Sequence, residues 1–462
     1  MNTFECPISF HAKSKPDHLA LLSGNEKWSY KDCDNIIHHI CHVLKSKGVK
    51  LGSRVGIYPT KDFPTPLIFF ALFRLQAIAC PLNGYFPLET IPQKLDELGA
   101  TYFLLPDELK KQISPMSQFV LPFSKLLENL HPSTQTIEPI LHKDALATFL
   151  FTSGTTSFPK IAAHSIGNHY YSALGSNAHL TLEESDRWLL SLPLYHIAGI
   201  AILFRCFLSG STVILENEKS ELSSIIIKQK VTHLSLIPTQ LYRLLQSDSL
   251  VLNSISFQIK HILLGGAQIP LDLYRKGIEV GLRLNPTYGM TEMSSQITTL
   301  FTPISPILSL GHALPYREVS ISKEGEILVR GKTLFQGYAD PLGGFALPLT
   351  KEGWFQTKDL GKYCPKKGLQ VLGRKDRLFI SGGENIQPEE IERILATMNG
   401  IVEVRIVPVA DKEFGFRPVA YIKSEKKFQD QEIKEYLEGY LPKFKIPISY
   451  HEMKDEHTLK RI

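Results

Sequence analysis

From residue 18 onward, apolar runs of strand length alternate with amphipathic stretches of helix length. Residues 19–22 and 28–30 flank Gly24-Asn25, which predicts a hairpin. Ser29, followed three residues later by Asp32, predicts a capped helix running toward Ser46. The beat continues with strands over 54–58, 77–81 and 101–105 and helices over 63–76 and 88–98. Residues 106–143 carry several prolines and read as a connection or irregular edge. The alternation then resumes. Strands are expected over 145–151, 231–237, 261–264 and from 283, with helices after Ser165 and over 223–230, 238–245 and 271–280. Such alternation predicts an α/β architecture of β-sheets flanked by helices, whose ligands gather beyond the carboxyl ends of the strands. The segments 265–268 and 287–292 are both read as lying just after strands, so they are expected to share a site.

Further along, residues 316–372 read as short β pieces separated by glycines. The charged stretch Gly373-Arg374-Lys375-Asp376-Arg377 reads as a break. After it, Pro388 opens an amphipathic helix, strands follow over 402–409 and 419–423, and a last helix covers 431–441. The expected division is a large layered N-terminal domain, 1–375, and a small α+β C-terminal domain, 376–462.

Length supports more than one domain, since 462 residues exceed one ordinary core. With 43% hydrophobic and 21% charged residues the composition is that of a soluble globular protein. A net charge of +5 without a long Lys/Arg block argues against nucleic acid as a partner. The most apolar stretch, 64–82, is broken by Arg74 and Gln76 and reads as a buried helix leading into a strand, so no membrane span is expected. Six scattered cysteines without a CxxC, and an N-terminus without an apolar signal core, point to a cytoplasmic chain with reduced thiols.

The candidate chemistry centres on Thr152-Ser153-Gly154-Thr155-Thr156-Ser157-Phe158-Pro159-Lys160, a hydroxyl-rich loop after a strand. Gly154 lets the backbone bend, successive N–H groups can form an anion-holding nest, and Lys160 can meet phosphate as a point charge. The spacing is not that of the Walker loop. Taken alone, the stretch is equally compatible with a polar surface turn.

Downstream stand PLYHIAG at 193, GGAQIP at 265, YGMTE at 288, TKD at 357, GRKDRLFISGGENIQPEEIE at 373 and a near-terminal Lys460. In this order the motifs resemble the adenylate-forming family of acyl-CoA synthetases, luciferases and peptide-synthetase adenylation domains, over roughly residues 20–462. The resemblance implies an enzyme using ATP, Mg²⁺ and coenzyme A. A carboxylate attacks the α-phosphate of ATP, a small mobile C-terminal domain rotates, and a thiol takes the acyl group. It implies that Thr152, Ser153, Gly154, Thr155, Thr156 and Lys160 hold the β and γ phosphates. Thr291 would bond the α-phosphate, and Glu292 would offer a hard oxygen to the metal. Tyr288, beside Gly289, would present a flat face to adenine, while Asp359 and Arg374 would reach the ribose. Lys460 would bridge the carboxylate and the α-phosphate. Asp376 would be the hinge, and Gly382 and Gly383 would lie along the pantetheine path. A homodimer is a further implication.

Within the family, the stretch from Asp186 through His196 to Arg205, and Ala162-Ala163-His164 after the loop, are similar to o-succinylbenzoate–CoA ligases of menaquinone synthesis. That acid carries two carboxylates, and the one not activated needs a cationic or hydrogen-bonding partner. Arg205 is the candidate, with a snorkelling arginine as its alternative. His196 is expected at the wall of the acyl pocket, and Gly265, Gly266 and Ala267 as a flat slot. Another aryl- or acyl-CoA ligase, a carrier-loading adenylation enzyme and a degenerate nucleotide-binding protein stay open. Ser157, Ile161, Lys358 and Leu459 stand where the family has glycine.

Overall fold

The computed structural model describes residues 2–113, 118–129, 137–152, 160–215, 221–301, 309–340, 344–381, 384–411 and 414–453. Two large sheets dominate. The first has eight strands, in spatial order Phe345–Ala346, Gly337–Ala339, Ile161–Ser165, Leu146–Phe151, Ile78–Pro81, Arg54–Ile57, Tyr102–Leu105 and Phe119–Pro122. The second has nine, running from His312–Ala313 through Ser295–Thr299, Leu284–Met290, His261–Leu264, His233–Leu236, Arg187–Leu189, Thr212–Leu215 and Leu19–Ser23 to Glu26–Ser29. The centre of each is parallel, and antiparallel pairs sit toward the edges.

Helices fill the space between these sheets because their sequences are apolar on every side. All ten residues of Thr65–Arg74 are buried, as are most of Ile197–Ser209. The two helices meet through Phe70, whose ring lies 5.4 Å from Phe204 and 5.0 Å from Phe207. Their shared core also takes Val55, Ile57 and Ala79 from the first sheet and Leu21, Val213 and Leu215 from the second. Arg74, the charge that interrupts the apolar stretch, is itself buried and pairs with Asp34. The helix Tyr30–Ser46 starts at the expected place, with Ser29 and Asp32 forming a capping box.

Two smaller sheets follow. Four strands, Arg317–Ile321, Glu326–Gly331, Phe355–Cys364 and Gly368–Arg374, form an antiparallel meander. Beyond it, Phe379–Ser381, Glu384–Ile386, Ile401–Asp411, Gly415–Ser424 and Tyr450–Glu452 form a five-stranded sheet. The helices Pro388–Leu395 and Asp430–Glu438 cover this sheet around a core of its own, built on Phe379, Ile391, Leu395, Ile422 and Leu437.

Several expectations change. The irregular region after residue 106 supplies the edge strand Phe119–Pro122 of the eight-stranded sheet. The stretch from 373 is not a break at its start, because Gly373 and Arg374 complete a strand paired with Leu360 and Asp359. Residues 287–290 lie inside the strand Leu284–Met290 rather than after it. The long strand Phe355–Cys364 and the helix Ser249–Gln258 escaped the pattern, the former because its charged and polar residues face outward at alternate positions.

Lys358, in the place of a glycine, has φ of +63°, the left-handed region that β-carbons disfavour. Its N–H donates to Oε1 of buried Glu326 at 3.0 Å, which holds the conformation. Replacing Lys358 with glycine relieves the strain and slightly loosens the unfolded chain. A net gain of about 0.5–1 kcal/mol is expected in urea unfolding. A loss of stability would contradict this account.

Candidate active site

A cleft of about 1530 Å³ opens where three of the sheets meet. Its floor is made by the carboxyl ends of parallel strands, through Leu189, Leu190, Ser235, Leu236, Leu263, Gly265 and Gly266. Thr152 and Lys160 enter from the eight-stranded sheet, and Asp359 and Arg374 from the four-stranded meander. Gly289, Thr291, Glu292, His196 and Arg205 line the same space, whereas Tyr288, Ala267 and Asp376 do not.

The base of the loop is well defined. Leu146–Phe151 and Ile161–Ser165 form an antiparallel hairpin, and the Thr152 N–H closes it by donating to the Lys160 carbonyl at 2.8 Å. Lys160 is exposed, with Nζ 4.6 Å from the ring centre of Tyr338. The Tyr338 hydroxyl in turn donates to Oε1 of Glu292 at 2.7 Å. Sequence reasoning missed Tyr338. It comes from the strand Gly337–Ala339, which pairs with Ile161–Ala163 only in the folded sheet, and no local spacing marks it. Ser153, Gly154, Thr155, Thr156, Gly382, Gly383 and Lys460 lie outside the described residues, as do Ser157 and Leu459.

Thr291 and Glu292 open a short 3₁₀ turn after the strand Leu284–Met290. A β-carbon on Gly289 would overlap the Ser295 carbonyl, so this tight return needs glycine. A buried histidine chain supports the turn from below. His164 Nε2 lies 2.7 Å from the Thr291 carbonyl, which can only accept, so that nitrogen carries the proton. The Thr148 hydroxyl then donates to His164 Nδ1 at 3.3 Å and accepts from His169 Nε2 at 2.9 Å.

Burial keeps both rings neutral, pushing His164 down to about 4 and His169 well below its ordinary range. The unfolded chain thus binds more protons below pH 6.5, and folding stability must fall as the pH drops from there toward 4. The slope should reach about 1.4 kcal/mol per pH unit for each histidine. Urea midpoints at pH 7.5, 6 and 5 check this, and a flat series would refute it.

Asp359 is largely buried, and burial raises its pKa. Two donors oppose that effect, the Tyr288 hydroxyl at 2.6 Å and Arg374 Nη1 at 3.2 Å. Tyr288 departs from expectation. It is 9% exposed, packs with Ala162, Met293 and Ile297, and serves Asp359 through its hydroxyl rather than presenting an open ring. Arg374 also grips Asp376 with Nε and Nη2, at 3.1 and 3.0 Å. One guanidinium thus bridges the residue expected at the ribose and the residue expected at the hinge.

On the acyl side, His196 stands at the first position before the helix Ile197–Ser209, in the cleft wall, without a side-chain capping hydrogen bond. It is accessible to solvent, but the concave wall around it disfavours the charged ring and lowers its pKa. Gly265 and Gly266 follow the strand His261–Leu264, Gly266 with φ of +79° and room for no more than 3.2 Å between an added β-carbon and Ile237. Ala267 continues this turn, exposed.

Arg205 does not snorkel. It is 1% exposed, with Nη2 donating to Gln296 Oε1 at 2.8 Å and its guanidinium 5.3 Å from the Trp188 ring. Its Nε has no hydrogen-bond partner, and burial lowers its pKa to about 10. Among the described residues it forms no ion pair.

This geometry can be set against known proteins. A family model described as AMP-binding enzyme matches residues 8–339. The chain belongs to the AMP-binding enzyme family. A similar relative in this family is the 2-succinylbenzoate–CoA ligase of Escherichia coli K12. It is 33% identical over 432 residues, spanning 94% of this chain and 90% of that protein. The o-succinylbenzoate CoA synthetase of Bacillus subtilis in complex with its acyl-adenylate intermediate superposes with a TM-score of 0.86. It is 28% identical and covers 98% of this chain and 96% of that one. The same Bacillus enzyme with ATP and magnesium gives 0.87 at 29% identity, again over 98% and 96%. Both the layered fold and the expected enzyme class therefore hold for this AMP-binding enzyme. Among its described residues no helix is long and apolar enough to cross a membrane.

Proposed function

We propose that this AMP-binding enzyme is an o-succinylbenzoate–CoA ligase that uses ATP, Mg²⁺ and coenzyme A. The observation that carries the choice of acid is Arg205, a buried cation on the wall of the cleft without an acidic partner among the described residues. An isolated buried charge is costly unless something anionic meets it. An acid with a second carboxylate supplies that partner while its other carboxylate reaches the nucleotide side.

The reaction has two halves. The succinyl carboxylate oxygen forms a bond to the α-phosphorus of ATP as pyrophosphate leaves. The coenzyme A thiol, losing its proton, then forms the thioester as AMP leaves. Thr152 and Lys160 flank the phosphate loop, to which Ser153, Gly154, Thr155 and Thr156 contribute, and Thr291 is assigned to the α-phosphate. Asp359 and Arg374 are assigned to the ribose, with Tyr288 holding Asp359 in place. Glu292 fits magnesium as a hard oxygen donor. Tyr338 occupies one of its oxygens, and no cluster of three metal-ligating side chains occurs among the described residues. Magnesium would thus rest on Glu292 and phosphate oxygens and supply charge neutralisation.

Lys460 in the first half-reaction, Asp376 as hinge, the domain division there, and Gly382 and Gly383 beside pantetheine complete the assignment. The separate core of residues 379–446 and the Arg374–Asp376 bridge support a boundary at that point. Six free cysteines suit a cytoplasmic location. Light scattering would test the homodimer.

The deciding test is coenzyme A ligation with o-succinylbenzoate, benzoate, a coumarate-type acid and a medium-chain fatty acid. Strong preference for the first is expected. Preference for another acid would discard the substrate and leave the ATP chemistry in place.

A further inference from the structure

Arg205 is not the only buried cation near the acyl side. Arg317, in the strand Arg317–Ile321, is 5% exposed and likewise forms no ion pair among the described residues. All its partners are neutral. Nε donates to the Gln296 carbonyl at 2.5 Å, Nη1 to the Pro315 carbonyl at 2.8 Å, and Nη2 to the carbonyl and hydroxyl of Ser172 at 2.9 and 3.1 Å. Burial lowers its pKa to about 9, and the charge of Arg205 adds to that effect.

Gln296 joins the two arginines. Its backbone carbonyl is held by Arg317, and its side-chain oxygen accepts from Arg205 Nη2 and, at 2.7 Å, from the Ser176 hydroxyl. Its amide nitrogen donates to Thr299 Oγ1 at 2.8 Å. Gln296 and Arg205 both line the cleft, whereas Arg317 does not. One positive charge thus sits in the wall and a second behind it, with no carboxylate among the described residues to neutralise either. Keeping an arginine charged at such a place costs stability that a neutral residue would not.

We propose that Arg317 is a specificity-determining residue acting at a distance. It fixes Gln296 behind Arg205 and adds a second buried positive charge that favours acids bearing a second carboxylate. The role rests on the ligase reading above and deepens it. A positioning function alone would need only the hydrogen bonds. The charge has a separate signature, because it acts on the free carboxylate and not on the carboxylate being activated.

The test compares o-succinylbenzoate with β-benzoylpropionate, which has the same skeleton without the ring carboxylate. Arg317→Met in the full chain is expected to lower the kcat/KM ratio of the first acid to the second by about tenfold, chiefly through the KM of the dicarboxylate. Equal losses for both acids would reduce Arg317 to a structural residue and overturn the proposal. Should Arg317→Met not fold, Arg317→Lys decides. It keeps the charge and loses the fork, so the ratio should stay near the wild-type value, and its collapse would overturn the charge account. If the wild-type enzyme itself fails to prefer the dicarboxylate, the substrate reading fails first and is recognised separately.

Discussion

Glu292→Gln is expected to slow acyl-adenylate formation by about 10²–10³-fold while leaving the fold intact. The variant keeps the size of the side chain. Its amide oxygen can still accept from Tyr338, whose hydroxyl lies 2.7 Å from Oε1 in the parent. What it loses is the negative charge, and with it the oxygen donor suited to magnesium. Two half-reactions separate the causes. Pyrophosphate exchange should carry the whole loss, while transfer from preformed acyl-adenylate to coenzyme A should change little. Exchange within threefold of the parent would remove Glu292 from its assigned role.

Arg205→Met should have an effect of similar size on the other side of the cleft. The expected loss is about 10²-fold in kcat/KM for o-succinylbenzoate, since truncating one member of a buried charge pair commonly costs a few kcal/mol. Stability should move the other way. Among the described residues the guanidinium is buried without an ion pair and with Nε unsatisfied, so methionine is expected to hold or raise the melting temperature. β-Benzoylpropionate, which offers nothing to Arg205, should lose far less. A variant that melts lower and loses both acids equally would make Arg205 a structural residue.

The elements were legible wherever a local signal decided them. The capped helix start at Ser29, the helix start after Ser165, the apolar stretch at Thr65–Arg74 and the short strands of the parallel sheets follow from residue type and spacing, because capping and periodic burial act over a few residues. The motif residues were legible too, and the cleft brings together Thr152, Lys160, Glu292, Asp359 and Arg374 across more than 200 residues of chain. Tyr338 and Gln296 carried no such signal. Tyr338 acquires its place by pairing against Ala162 in a strand distant in sequence, and the Gln296 side chain meets Arg205 and Ser176, both brought to it from distant helices.

Tyr288 marks the boundary between the two kinds of information. The sequence by itself placed an aromatic residue beside the Gly-Met-Thr-Glu turn. Only the tertiary structure decided that its ring is packed in the core and its hydroxyl holds Asp359. Arg205 is the same case, an arginine at a recognisable position whose burial could not be read from the chain. Composition and spacing determine which elements form and which groups are present. Whether a given polar group meets water, a partner or nothing depends on which distant strands fold against it. Here that choice buried an ordinary arginine at the wall of the cleft, with no ion pair among the described residues.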